Sequence, residues 1–92
     1  MSWGVDLSPR AEKQIGKFDP RIRLQVLEDL KSLSKEPFPK PPRGKKLKGF
    51  GTPTYRLKSG DYRAVYRPVD ETMVILAVFD RKDLEKELHS LR

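Results

Sequence analysis

Four basic residues, Arg56, Lys58, Arg63 and Arg81, are spaced so that a β-sheet can bring them to one anion. Residues 55–67 read Tyr-Arg-Leu-Lys-Ser-Gly-Asp-Tyr-Arg-Ala-Val-Tyr-Arg, two alternating segments around a Ser-Gly-Asp turn. Alternation separates Tyr55 and Leu57 from Arg56 and Lys58. A two-residue loop, Ser59-Gly60 or Gly60-Asp61, pairs even with odd positions, so either register puts Arg63 on the face of Arg56 and Lys58. Directly opposed like charges weaken a sheet. Three cations on one face therefore suit either a solvated strand face or an anion bound there.

The surrounding elements follow from local signals. Residues 3–7 alternate as a first strand. Ser8-Pro9 and Asp19-Pro20 each read as a helix N-cap followed by proline at the first helical position. The first helix carries Ala11, Ile15 and Phe18 and the second Ile22, Val26, Leu27, Leu30 and Leu33, which together predict a helical hairpin. Pro37, Pro39, Pro41 and Pro42 impose an extended course, and residues 43–51 read as a loop anchored by Leu47 and Phe50. After the hairpin and a turn at residues 68–72, Met73-Val-Ile-Leu-Ala-Val-Phe79 reads as a strand buried on both faces. A short charged helix over residues 83–91 is held by Leu84, Leu88 and Leu91. The order β-α-α-β-β-β-α predicts one α+β domain over residues 1–92: a helical hairpin on a mainly antiparallel four-stranded sheet, with the helices on one sheet face. In an up-and-down meander the ends of the second and fourth strands meet the start of the third. Lys58, Arg63 and Arg81 then share one edge, with Arg56 one side-chain repeat further in.

The chain has 92 residues, a formal charge of +7 and no cysteine. Thiolate nucleophiles, disulfides and zinc–thiolate sites are excluded, and no carboxylate group has metal-ligand spacing. No apolar run approaches the roughly 20 residues of a membrane span, and the N-terminus is no signal peptide, so a soluble cytoplasmic protein is expected. Between Lys40 and Arg67 nine basic residues face one acid, Asp61, which puts +8 in that segment and −1 in the remainder. Such localisation is the footprint of a polyanion, nucleic acid before membrane, because the cations lie on a loop and strands rather than an amphipathic helix.

Lys46-Leu-Lys-Gly49, Tyr55-Arg-Leu-Lys58 and Gly60-Asp-Tyr-Arg-Ala-Val-Tyr66, with Trp3 in the opening strand, the apolar fourth strand and Asp80-Arg-Lys-Asp83, resemble the RelE/ParE superfamily of toxin–antitoxin toxins, and its RelE branch more than ParE. The resemblance covers essentially the whole chain. It implies a ribosome-dependent endoribonuclease that cuts messenger RNA in the A site, with a cognate antitoxin as partner and no cofactor. It carries the family's catalytic positions to Arg56, Lys58, Arg63 and Arg81. Many members have a tyrosine in the C-terminal segment; here Leu84-Glu-Lys-Glu-Leu88 has none, and Glu87 is the nearest match by spacing. ParE-type relatives inhibit DNA gyrase without the basic set, so a non-cleaving gyrase inhibitor and a plain RNA-binding module are the alternatives.

Metal-free RNA cleavage needs a base for the 2′-hydroxyl, an acid for the leaving 5′-oxygen and cations for the phosphorane-like transition state. Arg63 and Arg81 suit the last task, since a guanidinium binds phosphate oxygens bidentately and stays charged. Lys58 is a base candidate because neighbouring cations disfavour an ammonium's charged form, and a phosphate contact is its other role. Asp61, Asp80 and Glu87 are carboxylate candidates for the proton steps, Asp61 also serving its turn and Asp80 a neighbouring cation. His89 reads as a solvated surface residue, and Tyr55, Tyr62 and Tyr66 as core aromatics. Lys40, Arg43, Lys45, Lys46, Lys48 and Arg67 are candidate RNA-binding residues, a sequence-blind clamp on the backbone of ribosomal or messenger RNA. The antitoxin would be an acidic or amphipathic segment that covers the basic face or displaces the last helix.

Overall fold

In the computed structural model, which describes residues 2–92, strand β1 (Gly4–Leu7) leads through Ser8 into helix α1 (Pro9–Gly16). The Ser8 hydroxyl accepts from the Ala11 N–H at 3.1 Å, and Pro9 stands at the first helical position, where an N–H would have no partner. Asp19 does the same for α2 (Pro20–Lys31), its carboxylate accepting from the Arg21 N–H at 2.9 Å. One 3-10 turn, Ser32–Ser34, then ends the helical hairpin. Ala11, Ile15, Val26, Leu30 and Leu33 pack from this unit onto one sheet face, against Leu57, Ala64, Tyr66, Met73, Ile75 and Val78. Burying such side chains is the main stabilising term, about 1.5–3 kcal/mol for each large aliphatic one.

The sheet comprises β1, β2 (Gly44–Lys46), β3 (Tyr55–Ser59), β4 (Tyr62–Val69) and β5 (Thr72–Asp80), in the order β1-β5-β4-β3-β2. β1 runs parallel to β5, and every other pair is antiparallel. The β3–β4 loop is Gly60-Asp61, with Ser59 opposite Tyr62 and Lys58 opposite Arg63. Gly60 has φ +58°, the left-handed conformation that such a loop requires at its first position. On β5 the register shifts by one residue. Val65 pairs with Ala77 but Tyr66 with Ile75, which leaves Leu76 extra. Met73 and Ile75 therefore face the helical hairpin, whereas Ala77 and Phe79 join a second core on the opposite face.

That second core corrects the expectation that all helices pack on one face. After a 3-10 turn, Arg81–Asp83, helix α3 (Leu84–Leu91) crosses to the other side. There Leu88 is buried with Val65, Ala77 and Phe79, and Leu84, Leu91, Leu47 and Phe50 pack around them. An apolar β5 needs cover on both faces, and the hairpin can supply only one. β2 is the other difference: a fifth strand inside the segment expected to be a loop. Its Gly-Lys-Lys sequence has no alternation, and it forms by pairing Lys45 with Arg56 while Gly44 lies against Pro39. A Cβ on Gly44 would stand 2.4 Å from the Pro39 carbonyl oxygen, so the edge strand can approach the proline segment only with glycine there. No helix among the described residues is long and apolar enough to cross a membrane.

Candidate anion-binding site

Cross-strand pairing fixes which side chains share a face. Lys58 stands opposite Arg63, and Arg56 opposite both Val65 and Lys45. Arg67 follows Tyr66, whose ring enters the hairpin-side core, and so lies on the other face. Lys45, Arg56, Lys58, Arg63 and Arg67 thus occupy the face that carries α3. α3 covers the β5 half of this face, and cations line the β2–β3–β4 half.

Arg63 is where the crowding is felt. Burial lowers its guanidinium from the ordinary arginine value, and repulsion from Arg56 and from Arg81 adds to this; Asp61 and Asp80 oppose the change. Three cations from β3, β4 and the exit of β5 therefore act on one another, as the meander predicts. The Arg63 Nη1 group is held by the turn, donating to the Gly60 and Tyr62 carbonyls, each at 2.9 Å. The Arg81 N–H donates to the Asp61 carbonyl at 2.8 Å, which ties the end of β5 to the β3–β4 turn. The Arg81 side chain reaches the Asp61 carboxylate only loosely, at 3.9 Å, with both groups mostly in water; such a pair contributes little. Among the described residues, none of Arg56, Lys58 and Arg63 pairs with a carboxylate. The Arg56 and Arg67 Nε atoms are buried without a hydrogen-bond partner, so packing rather than counter-charge holds these stems. Leaving such donors unpaired costs about 1–3 kcal/mol apiece. An anion with several oxygens would relieve the repulsion.

The remaining candidates divide. Lys40, Lys45, Lys46 and Lys48 are exposed, with Lys46 opposite Tyr55 on the far face from Lys45. Arg43 is turned inward: its guanidinium donates to Glu36 at 3.0 Å and to the Ser32 hydroxyl. It buttresses the 3-10 turn rather than joining the exposed lysines. Arg67 donates to the buried Thr54 hydroxyl at 3.2 Å. Glu87 is not brought to the cation set. Its Oε1 accepts from Arg10 Nη2 and Gln14 Nε2 of α1, each at 2.9 Å, and it is absent from the charges acting on Arg63. Gln14 in turn accepts from the Val78 N–H at 2.8 Å, on the β5 edge beyond β1. Glu87 therefore fastens α3 to α1. His89 is exposed, as expected of a surface residue. Tyr66 is fully buried, donates to the Pro37 carbonyl at 3.0 Å, and has its phenol pushed up to about 12, mainly by burial. No group of three His, Asp or Glu side chains among the described residues is placed to hold a metal ion.

A supporting contact was missed from sequence. Ser59, 2% exposed, donates to Asp29 of α2 at 2.6 Å and accepts from Gln25 at 3.4 Å. This latch fastens the hairpin that carries Lys58 and Arg63 to the helical layer. Asp29 falls on the stripe between apolar positions of α2, and only the tertiary fold shows what it meets. In chemical terms, the site can bind a phosphodiester through several oxygens and stabilise added negative charge on it.

The comparisons with known proteins place the chain in a family. The profile described as the ParE toxin of the type II toxin–antitoxin system parDE matches residues 5–85. The toxin–antitoxin complex RelBE2 from Mycobacterium tuberculosis contains a chain 33% identical, with TM-score 0.75 over 88% of this chain and 100% of that one. The archaeal RelE–RelB complex from Pyrococcus horikoshii gives 28% identity and TM-score 0.75 over 88% of this chain and 97% of the other. A mutant of the E. coli toxin RelE in the free state gives 25% identity and TM-score 0.73 over 98% and 93%. No curated protein sequence matches significantly. The chain is a toxin of a type II toxin–antitoxin system and belongs to the RelE/ParE superfamily, its structural neighbours being RelE toxins.

Proposed function

We propose that this toxin is a metal-independent endoribonuclease that cuts messenger RNA on the ribosome, in the cytoplasm, by attack of a 2′-hydroxyl on the adjacent phosphate. The supporting observation is Arg63, opposite Lys58 at one sheet end, repelled by Arg56 and Arg81 and without a carboxylate ion pair. Repelling cations with one loose ion pair among them are costly in a fold and useful to a phosphorane-like transition state, which carries more negative charge than the bound diester. Arg63 and Arg81 grip the non-bridging oxygens, and Arg56 adds field from one repeat inside. Lys58 is the proton-carrying group, because arginines do not give up protons in proteins and Lys58 is the lysine opposite Arg63. It takes the 2′-hydroxyl proton as that oxygen bonds to phosphorus, and the bond to the 5′-oxygen breaks as that oxygen takes a proton from water, leaving a 2′,3′-cyclic phosphate and a 5′-hydroxyl. Lys40, Lys45, Lys46 and Lys48 contact the RNA backbone and position the toxin. A cognate antitoxin covers this basic protein, as RelB accompanies the toxins in the mycobacterial and archaeal complexes.

The test is primer extension on messages in a translating ribosome extract. Codon-phased ends that vanish with Lys58→Arg, which keeps the charge and removes the usable proton site, support the proposal. Intact messages with the wild-type protein refute it. The match to a ParE profile favours a second reading, inhibition of DNA gyrase. Intact messages together with blocked supercoiling would establish that reading instead.

A further inference from the structure

At the same sheet end lies a cleft of about 340 Å³, lined from α1, the start of β4, the end of β5, the 3-10 turn after it and α3. It adjoins the cation set: Arg63 pairs with Phe79, which lines the cleft, and its neighbour Tyr62 pairs with Asp80 and lines it too. We propose that this cleft takes up one unpaired RNA base bearing an exocyclic amino group (adenine, cytosine or guanine in preference to uracil) from a nucleotide beside the phosphate held by Arg63 and Arg81. The setting rests on the proposed RNA cleavage; the test below does not.

Three observations carry the inference. The first is an aromatic wall. Phe18 and Tyr62 meet at 4.7 Å between centroids, tilted by 53°, and both are half-buried, so one side of the pair is open to a flat apolar group. A base stacks on such a wall whatever its identity. The second is the set of acceptors. Asp80 and Asp83 line the cleft, and Asp83 takes no hydrogen bond or ion pair among the described residues. One oxygen of Asp80 caps the Lys82 N–H at 3.0 Å, and none of the ion pairs uses its carboxylate. Carboxylates accept from the amino groups of cytosine, adenine and guanine, which uracil lacks, and repel the carbonyl that uracil presents where cytosine has its amino group. The third is charge balance. Lys17 and Lys82 also line the cleft and form no ion pair among the described residues. They keep an acid-lined cleft attractive to a polyanion. The volume sits at the lower end of small-ligand sites, roughly 300–1,000 Å³, which admits a base and excludes a helix.

The test titrates the isolated full chain with AMP, CMP, GMP and UMP while NMR shifts are followed. AMP, CMP and GMP should move the resonances of Phe18, Tyr62 and Val78, with UMP weaker by at least about five-fold. Asp83→Asn, at a half-exposed position, should leave the circular dichroism spectrum intact and bring UMP to within about two-fold of the others. Shifts confined to the Arg56 and Arg63 face, equal affinity for all four nucleotides, or no shifts at millimolar concentration would each overturn the inference. Cleavage is not read in this assay, so failure here leaves the proposed nuclease standing, and failure to cut on ribosomes leaves this site standing.

Discussion

Arg63→Ala separates function from stability more cleanly than any other change to the cation set. The side chain donates to the Gly60 and Tyr62 carbonyls through a single Nη1 group, and it is held near Arg56 and Arg81 against their repulsion. Truncation loses those two hydrogen bonds, about 0.5–1.5 kcal/mol each in net terms. It also relieves repulsion from two cations, neither directly opposite, each no larger than the roughly 0.2–1 kcal/mol of directly opposed side chains. Attraction to Asp61 and Asp80 is lost as well. The net destabilisation is then about 1 kcal/mol, or some 4–8 °C in Tm for a domain of this size. Catalysis should suffer far more, since one aimed donor on the transition state is worth about 3–4 kcal/mol, a factor of roughly 10²–10³. The assay is single-turnover message cleavage on ribosomes, read by primer extension, alongside thermal unfolding of the same preparation. Retention of cleavage within a few-fold would remove Arg63 from the mechanism. A loss of stability above about 3 kcal/mol would show that Arg63 is a structural residue and that its repulsion is outweighed.

Tyr66 makes the fold sensitive to alkali: between pH 10, where the unfolded phenol ionises, and about 12, the native state binds one more proton than the unfolded state, so stability falls as pH rises. Over that window the loss is about 3 kcal/mol, and Tyr66→Phe should abolish it; equal shifts of the urea midpoint in both proteins between pH 9 and 11.5 would contradict this. Glu87→Gln weakens a partly exposed pair with Arg10 and should lower stability by about 1 kcal/mol or less while speeding amide exchange in α3. Its cleavage should stay within a few-fold, and a hundred-fold loss would restore Glu87 as a candidate catalytic group. Changing Lys45, Lys46 and Lys48 together to alanine should weaken ribosome association and flatten its dependence on salt by a slope of up to about 3; unchanged binding in a sedimentation assay would remove these lysines from the interface.

Signals confined to neighbouring residues were legible in the sequence. Ser8-Pro9 and Asp19-Pro20 start helices because cap and proline act within one turn. The Gly60-Asp61 loop sets the register that puts Arg63 beside Lys58, because a two-residue loop leaves no other parity. The unbroken run over residues 73–79 announced a strand buried on both sides, but not which helix would cover each side. That was decided by the extra residue at Leu76, which turns Ala77 and Phe79 toward α3. β2 was illegible because Gly44, Lys45 and Lys46 form a strand only through what pairs with them. The partners of Arg43 and Glu87 were hidden for a related reason. An arginine eleven residues from Ser32, or a glutamate on a different helix from Arg10, reads as a solvated charge until the tertiary fold brings the two together.

The same contrast explains how a fold can tolerate this site. Arg56 and Arg81 repel Arg63, and Arg56, Lys58 and Arg63 lack carboxylate partners, so nothing in their own interactions keeps β3, β4 and the end of β5 together. The ties lie one residue away, on atoms that take no part in binding an anion. Ser59 follows Lys58 and is latched to Asp29; Tyr62 precedes Arg63 and packs on Phe18; the Arg81 backbone is bonded to the Asp61 carbonyl. Each functional side chain thus has an anchored neighbour pointing to the opposite face or along the backbone, because alternation in a strand sends adjacent side chains to opposite faces. Stability is drawn from the hairpin face and from the half of the other face under α3, and unfavourable charge is displayed on what remains. Cations on the stabilising face would be buried under α1 and α2 and would need acids to neutralise them, and would then offer nothing to a phosphate.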